Sequence, residues 1–234
     1  ALSLFAELEV TGAGTTWTGA GLSVGHIGTG GLTIADGANV STSTNADIGV
    51  NAGSTGTATV TGAGSTWTHD SLLNVAINGN GTLNIENGGN VSNTDATVRG
   101  VLGAFGSVNV TGAGSTWTST GLVFIDGSVT VSDGGQVNVT VTGTCSTWNS
   151  TANLLVGDMH TGMLTIENGG NVSNNSGVIG AAATAVGTAS VGGAGATWTM
   201  AENLSSGGNV VFGNGGTGSL TIDPGGTVDV AEDV

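Results

Sequence analysis

The chain has 234 residues, 46 of them Gly, with one Pro and 38% apolar residues. Gly has no three-residue period, which excludes collagen, and Val, Ile and Leu at repeating positions argue against disorder. Sixteen acids stand against one base, Arg99, for a net charge of −15; this argues against nucleic acid, whose phosphates need cations, and against anionic membrane surfaces.

The chain opens on an alternating segment, ALSLFAELEV, that leads into the phrase VTGAGTTWT at Val10–Thr18. VTGAGSTWT follows at Val60–Thr68 and Val110–Thr118, then the degraded copies VTGTCSTWN at Val141–Asn149 and VGGAGATWT at Val191–Thr199. All five Trp residues, Trp17, Trp67, Trp117, Trp148 and Trp198, sit in these copies, spaced 50, 50, 31 and 50 residues apart. A fixed period of this size is the signature of one structural unit stacked on copies of itself.

A second phrase follows each Trp: LTIADGANV (Leu32–Val40), LNIENGGNV (Leu83–Val91), VTVSDGGQV (Val129–Val137), LTIENGGNV (Leu164–Val172) and LTIDPGGTV (Leu220–Val228). Each alternates apolar and polar residues, turns at Gly, and resumes with a β-branched residue, which is a strand–turn–strand signal. A related strand precedes it (LSVG, LNVA, LLVG, VVFG), and a third segment leads back to the next Trp phrase. The expected repeat is therefore three coils of roughly 15 to 20 residues, which predicts about 13 coils and, at about 4.8 Å per stacked strand, a rod of about 60 Å. The spacing of 31 reads as one lost coil, since deleting a whole coil leaves the apolar face in register.

No helical pattern occurs, and the long period favours a parallel β-solenoid over a sandwich or barrel. The whole chain, 1–234, is one solenoid with repeats at about 10–59, 60–109, 110–140, 141–190 and 191–234. In this order and spacing, VTGAGSTWT and LTIENGG resemble the repeat shared by type V secretion (autotransporter) passengers and PEP-CTERM-associated exported proteins of bacteria. The resemblance implies a right-handed parallel β-helix exported to the cell surface or beyond the outer membrane. It transfers no catalytic residues. The opening inside a repeat and the lack of an initiator Met lead us to expect a processed or excised piece.

Chemistry-bearing residues are sparse. Asp36, Glu86, Asp133, Glu167 and Asp223 recur in the second phrase. Glycoside hydrolysis needs two carboxylates about 5 to 9.5 Å apart, and only Asp133 and Glu167, two expected coils apart, approach that. The expectation is repeated turn acids facing water. His26, His69 and His160 show no metal-ligand spacing. Cys145, which replaces a Gly of the GAG triplet, is expected to be a small buried hydrophobe. No enzyme activity, catalytic residue, metal or cofactor is expected. The Trp residues point either into the core or outward as a sugar-gripping ladder, and burial in a chain with few aromatics favours the core. Ice binding would need Thr on every coil, whereas T-x-T is expected only every third.

The leading functional expectation is an exported structural or adhesive surface element. It would stack end to end as a filament subunit or continue a longer solenoid, because unpaired solenoid ends recruit further strands. A carbohydrate-binding module of a surface adhesin, with surface glycans as partners, is the alternative, and a glycan-cleaving β-helix enzyme comes third. Neither nucleic-acid binding nor membrane insertion is expected.

Overall fold

A computed structural model describes residues 5–100, 103–126, 136–200, 210–213 and 215–231. The protein is an all-β parallel solenoid, and no helix occurs among the described residues. Its strands form three parallel sheets of nine, nine and eight strands, here A, B and C, and consecutive strands of the chain visit them in turn. Sheet A runs through Phe5–Thr11, Thr29–Ala35, Thr55–Thr61, Asn80–Glu86, Phe105–Thr111, Gln136–Thr142, Thr161–Glu167, Val186–Gly192 and Thr217–Ile222. These strands number coils 1 to 9, and the ninth has no sheet C strand among the described residues.

This count corrects the expected 13 coils of three per repeat. Sheet A strands begin 24 to 26 residues apart except for two steps of 31, from Phe105 to Gln136 and from Val186 to Thr217. One coil therefore takes about 25 residues and three strands, and the 50-residue Trp period spans two coils. The "strand–turn–strand" unit and the third segment are sides of one turn of the solenoid. Period-two alternation marks strands but says nothing about how many strands make a coil. Nine stacked strands give a rod of about 40 Å at the usual interstrand spacing.

The Trp spacing of 31 is likewise one long coil, about six residues over the usual length, and not a three-coil repeat that has lost one coil. Trp117 pairs directly with Trp148 in the next coil. The phrase at Val129–Val137 was expected to form its own strands. Residues 127–135 lie outside the described residues, and Val137 belongs to the sheet A strand Gln136–Thr142.

Alternation places the core. Along sheet A, every second residue is buried, as at Leu32 and Ile34, Leu83 and Ile85, and Leu164 and Ile166. Register stacks these into columns: Leu8, Leu32, Ala58, Leu83, Val108, Val139, Leu164, Ala189, Leu220 is one. In sheet B the inward column reads Trp17, Val40, Trp67, Val91, Trp117, Trp148, Val172, Trp198, Val228. A large indole mostly meets a smaller Val above and below, so large and small layers alternate along the column.

The corners need special backbone. Asp36–Gly37, Asn87–Gly88 and Asn168–Gly169 each place two successive residues at positive φ, a conformation that Gly, Asn and Asp adopt at low strain. At the corner from sheet C to the next sheet A strand, a Cβ on Gly56 would run into the Val24 carbonyl oxygen and the Gly49 amide. Gly occupies this column at coils 2 to 5 and 7 to 9. Val137 replaces it at coil 6, after one of the two long steps.

Candidate functional site

The indoles point inward. Trp67, Trp117, Trp148 and Trp198 are essentially inaccessible, and Trp17, in the first coil, is partly buried against the same core. The core orientation expected from composition holds, and no outward Trp ladder exists.

Two of the indoles are anchored by Asn residues of the preceding coil. Trp117 Nε1 donates to Asn93 Oδ1 at 2.7 Å and Trp198 Nε1 donates to Asn174 Oδ1 at 2.6 Å. Asn93 also donates from Nδ2 to the Asp95 carbonyl (2.9 Å) and to Ser119 Oγ (3.1 Å). Both Asn residues end an NVSN strand, two residues after a buried Val, so alternation turns them inward. Reading NVSN only as a turn flank missed this, although period two carried the signal.

Where the preceding coil has no such Asn, the indole lacks a partner. Trp148 follows the Trp117 coil, which presents Ser119 at that column position, and Trp148 Nε1 is buried with no hydrogen bond. Trp67 follows a coil with Thr42 there, and Trp67 Nε1 is also unpaired. Thr42 is engaged elsewhere: it lies 2.6 Å from His69 Nδ1, while His69 Nε2 lies 2.9 Å from the Leu72 carbonyl oxygen. A carbonyl only accepts, so Nε2 carries the proton, and Thr42 Oγ1 donates to Nδ1. His69, 2% exposed, is thus a core residue.

The Ser of GAGSTWT ties coils together. Ser115 Oγ donates to the Thr111 carbonyl (2.6 Å) and accepts from the Gly88 amide of the coil before (3.1 Å), and Ser65 Oγ accepts from the Gly37 amide (3.0 Å). Such buried hydroxyls satisfy backbone groups that a tight corner leaves unpaired.

Cys145 is exposed, with φ of 62°, which corrects the expectation of a buried thiol. In the other four copies the last Gly of the triplet, Gly14, Gly64, Gly114 or Gly195, has φ between 75° and 84°. The position sits on an outward corner, and its backbone sign, not a cavity, is why Gly prevails there.

No two of the described repeated acids sit on adjacent coils: Glu167 and Asp223 are two coils apart in one sheet A column, about 10 Å at the strand spacing. Glu86 and Glu167 lie in one sheet A column three coils apart, with Thr111 and Thr142 between them, about 14 Å at the strand spacing. Asp36 sits at the turn position that Asn87 and Asn168 occupy, not at the Glu position. Asp133 lies outside the described residues. No group of three or more His, Cys, Asp or Glu able to hold a metal occurs among the described residues.

The outer face of sheet B carries small uncharged polar residues on every coil. One column reads Thr16, Asn39, Thr66, Asn90, Thr116, Thr147, Asn171, Thr197, Thr227. Thr and Asn are bonded along it: Thr197 Oγ1 donates to Asn171 Oδ1 at 2.9 Å. T-x-T recurs on coils 1, 3, 5 and 8, so the expected three-coil spacing gives way to two coils in the first two intervals.

At the first coil the core opens into an apolar hollow lined by Leu8, Leu22, Val24, Ile27 and Leu32. At the last coil Ile222 is 54% exposed, and Leu220, Val228 and Val230 are half-buried. No helix among the described residues is long and apolar enough to cross a membrane. Comparison with protein-family models, with curated proteins and with solved structures finds no match.

Proposed function

We propose that this protein is a structural or adhesive rod exported by a bacterium to its surface or beyond, and that it associates end to end or continues a longer solenoid. The single observation that carries the reading is the unbroken parallel register of sheets A and B through all nine coils, with an outer face on sheet B made mostly of Thr, Asn and Ser. Rigidity and length are what such a stack supplies. The net charge of −15 keeps rods apart laterally, and the resemblance of VTGAGSTWT and LTIENGG to exported bacterial repeats points to the cell exterior.

The carbohydrate-binding alternative loses its main support, because the indoles that would have stacked on sugar rings are in the core. Antibody labelling of intact cells of the producing bacterium, with protease shaving, tests the reading: labelled, shaveable protein is expected. Protein that is protected in intact cells and released only by lysis overturns it.

A further inference from the structure

We propose that Asn168–Gly169 is a site of covalent self-modification, where the Asn168 side chain closes onto the Gly169 amide and deamidates, and that the fold protects the sequence-identical step Asn87–Gly88. The site does not depend on where the rod stands or what it joins.

The two steps share their local chemistry. Residues 85–93 and 166–174 both read IENGGNVSN, so nothing in the nearby sequence favours one over the other. Both Asn residues are exposed at a corner from sheet A to sheet B, with φ of 53° and 52°. Both corners are closed alike: the Asn87 amide donates to the Thr111 carbonyl and the Asn168 amide to the Gly192 carbonyl, each at 3.2 Å. A Gly follows in each, and without a Cβ its amide nitrogen is little hindered.

The difference lies in the neighbouring coils. Gly88 N–H donates to Ser115 Oγ at 3.1 Å, and that hydroxyl gives its own proton to the Thr111 carbonyl. Asn87 Nδ2 is held as well, by Thr61 Oγ1 at 3.3 Å. At the other step Ala196 stands in the register position of Ser115. Its methyl accepts no hydrogen bond, and among the described residues none replaces either contact at Gly169 or at Asn168 Nδ2. Two further described Asn–Gly steps are also restrained. Gly79 N–H donates to the Gly49 carbonyl at 3.1 Å, and Gly81 is buried in the sheet A ladder between two neighbouring strands. The Ser of GAGSTWT, replaced in GAGATWT, thus separates a protected corner from an open one.

The reaction needs only water. The Gly169 nitrogen attacks Asn168 Cγ, and the bond from Cγ to Nδ2 breaks. Nδ2 leaves as ammonia, taking the proton that Gly169 gives up. Water then opens the five-membered imide at either carbonyl, which yields Asp or isoaspartate. At Asn87 the attack must first break the Ser115 bond, and the usual net contribution of a hydrogen bond slows it about three- to tenfold. Asp fits this turn position, as Asp36 at φ of 56° shows. Isoaspartate instead lengthens the main chain by one atom. The corner is tight, since a Cβ on Gly170 would run into the Val141 carbonyl oxygen. The strand Asn171–Asn174 must therefore shift, and with it the Asn174 acceptor of Trp198.

Mass spectrometry of digests from the whole folded chain, aged at mildly alkaline pH, tests the site, with isoaspartyl methyltransferase labelling to identify isoaspartate. Asn168 should convert at least about threefold faster than Asn87 in native protein, and the two should convert equally in urea. Ala196→Ser should slow Asn168. Ser115→Ala should speed Asn87, and it copies a corner that the protein already builds with Ala196. Amide exchange in Asn171–Asn174 should quicken in the isoaspartate fraction. Equal native rates, a faster Asn87, or no native conversion of Asn168 over a period that converts it in urea each overturn the proposal. Rates that neither substitution moves overturn the role of the Ser hydroxyl.

Discussion

Trp117 and Trp148 stack face to face, with ring centroids 4.6 Å apart and planes 14° from parallel. Elsewhere in the column Val separates the indoles. The stack marks the one step at which a single long coil, with no Val coil between, separates two Trp copies, and it trades one interaction for another. It brings two indoles into a contact of about 0.5–1.5 kcal/mol beyond burial, and it removes the Asn that would have accepted the Trp148 N–H. The two rings are thus alike in packing and unlike in hydrogen bonding.

Trp117→Phe should accordingly cost more than Trp148→Phe. Both keep an aromatic ring in the stack. Only Trp117→Phe takes a donor from Asn93 Oδ1, while the Trp148 nitrogen has no bond to lose and its removal relieves a buried unsatisfied group. Ser119 Oγ still reaches Asn93 Oδ1 at 3.4 Å, so the difference should be about 1 kcal/mol, the net contribution of one buried hydrogen bond. Urea unfolding midpoints of the two variants check this, and equal midpoints would show that the Asn93 contact contributes nothing.

A transplanted network should work at coil 3. Thr42 and His69 occupy the column positions of Asn93 and Ser119. Thr42→Asn with His69→Ser gives Trp67 Nε1 the acceptor it lacks. The double variant should be about 1 kcal/mol more stable than the sum of its two single variants implies, since a hydrogen bond of this kind contributes about that much, and only the pair completes it. A double-mutant cycle measures the coupling; a coupling of zero would mean that the introduced amide does not reach the indole.

Fold class was legible because alternation, Gly turns and a 50-residue period all pointed the same way. The coil was not, because LTIENGGNV and VTGAGSTWT each hold parts of two strands of different sheets around a corner, and a linear pattern does not reveal which strands pair. Pairing could have been inferred from the Trp phrase and the NVSN phrase falling 25 residues apart with matching inward positions. The buried role of Asn93 was legible from alternation alone. That of His69 was not, since nothing local distinguishes it from Ser119 in the same column. Cys145 was misread because its φ, set by an exposed corner, leaves no trace in hydrophobicity.

Cys145→Gly should stabilise the protein. A non-Gly residue in the left-handed region costs about 1–2 kcal/mol, and the extra freedom of Gly in the unfolded chain returns about 0.5–1 kcal/mol of that. A net gain of about 0–1.5 kcal/mol follows from these two terms. Ala76→Gly, at φ of 64°, should gain less, because Ala76 is 0% exposed and the change also removes a buried methyl worth about 0.8 kcal/mol. Thermal unfolding measures both. Because the thiol is exposed, native wild-type protein should also titrate one thiol with a disulfide reagent before any denaturant is added. A thiol that reacts only after unfolding would contradict the corner position.

Gly56→Ala tests the corner on which the stacking depends. The added methyl meets two backbone groups, the Val24 carbonyl oxygen and the Gly49 amide nitrogen, and neither can rotate away as a side chain would. The backbone must move, and with it the pairing of Thr29–Ala35 with Thr55–Thr61. The cost should reach at least the upper end of overpacking, about 3 kcal/mol. Val137 stands in the same column where the preceding corner is longer, so Val137→Ala is the matched comparison; it removes two methyl groups from a site that already accepts a side chain and should cost about 1–2 kcal/mol. Amide hydrogen exchange separates the two mechanisms. Gly56→Ala should speed exchange in the sheet A strands of coils 2 and 3, because their ladder is strained, whereas Val137→Ala should lower global stability without a local weak point. Unchanged protection in coils 2 and 3 would mean that the corner yields without cost, and that the Gly column is not what sets the tight step between coils.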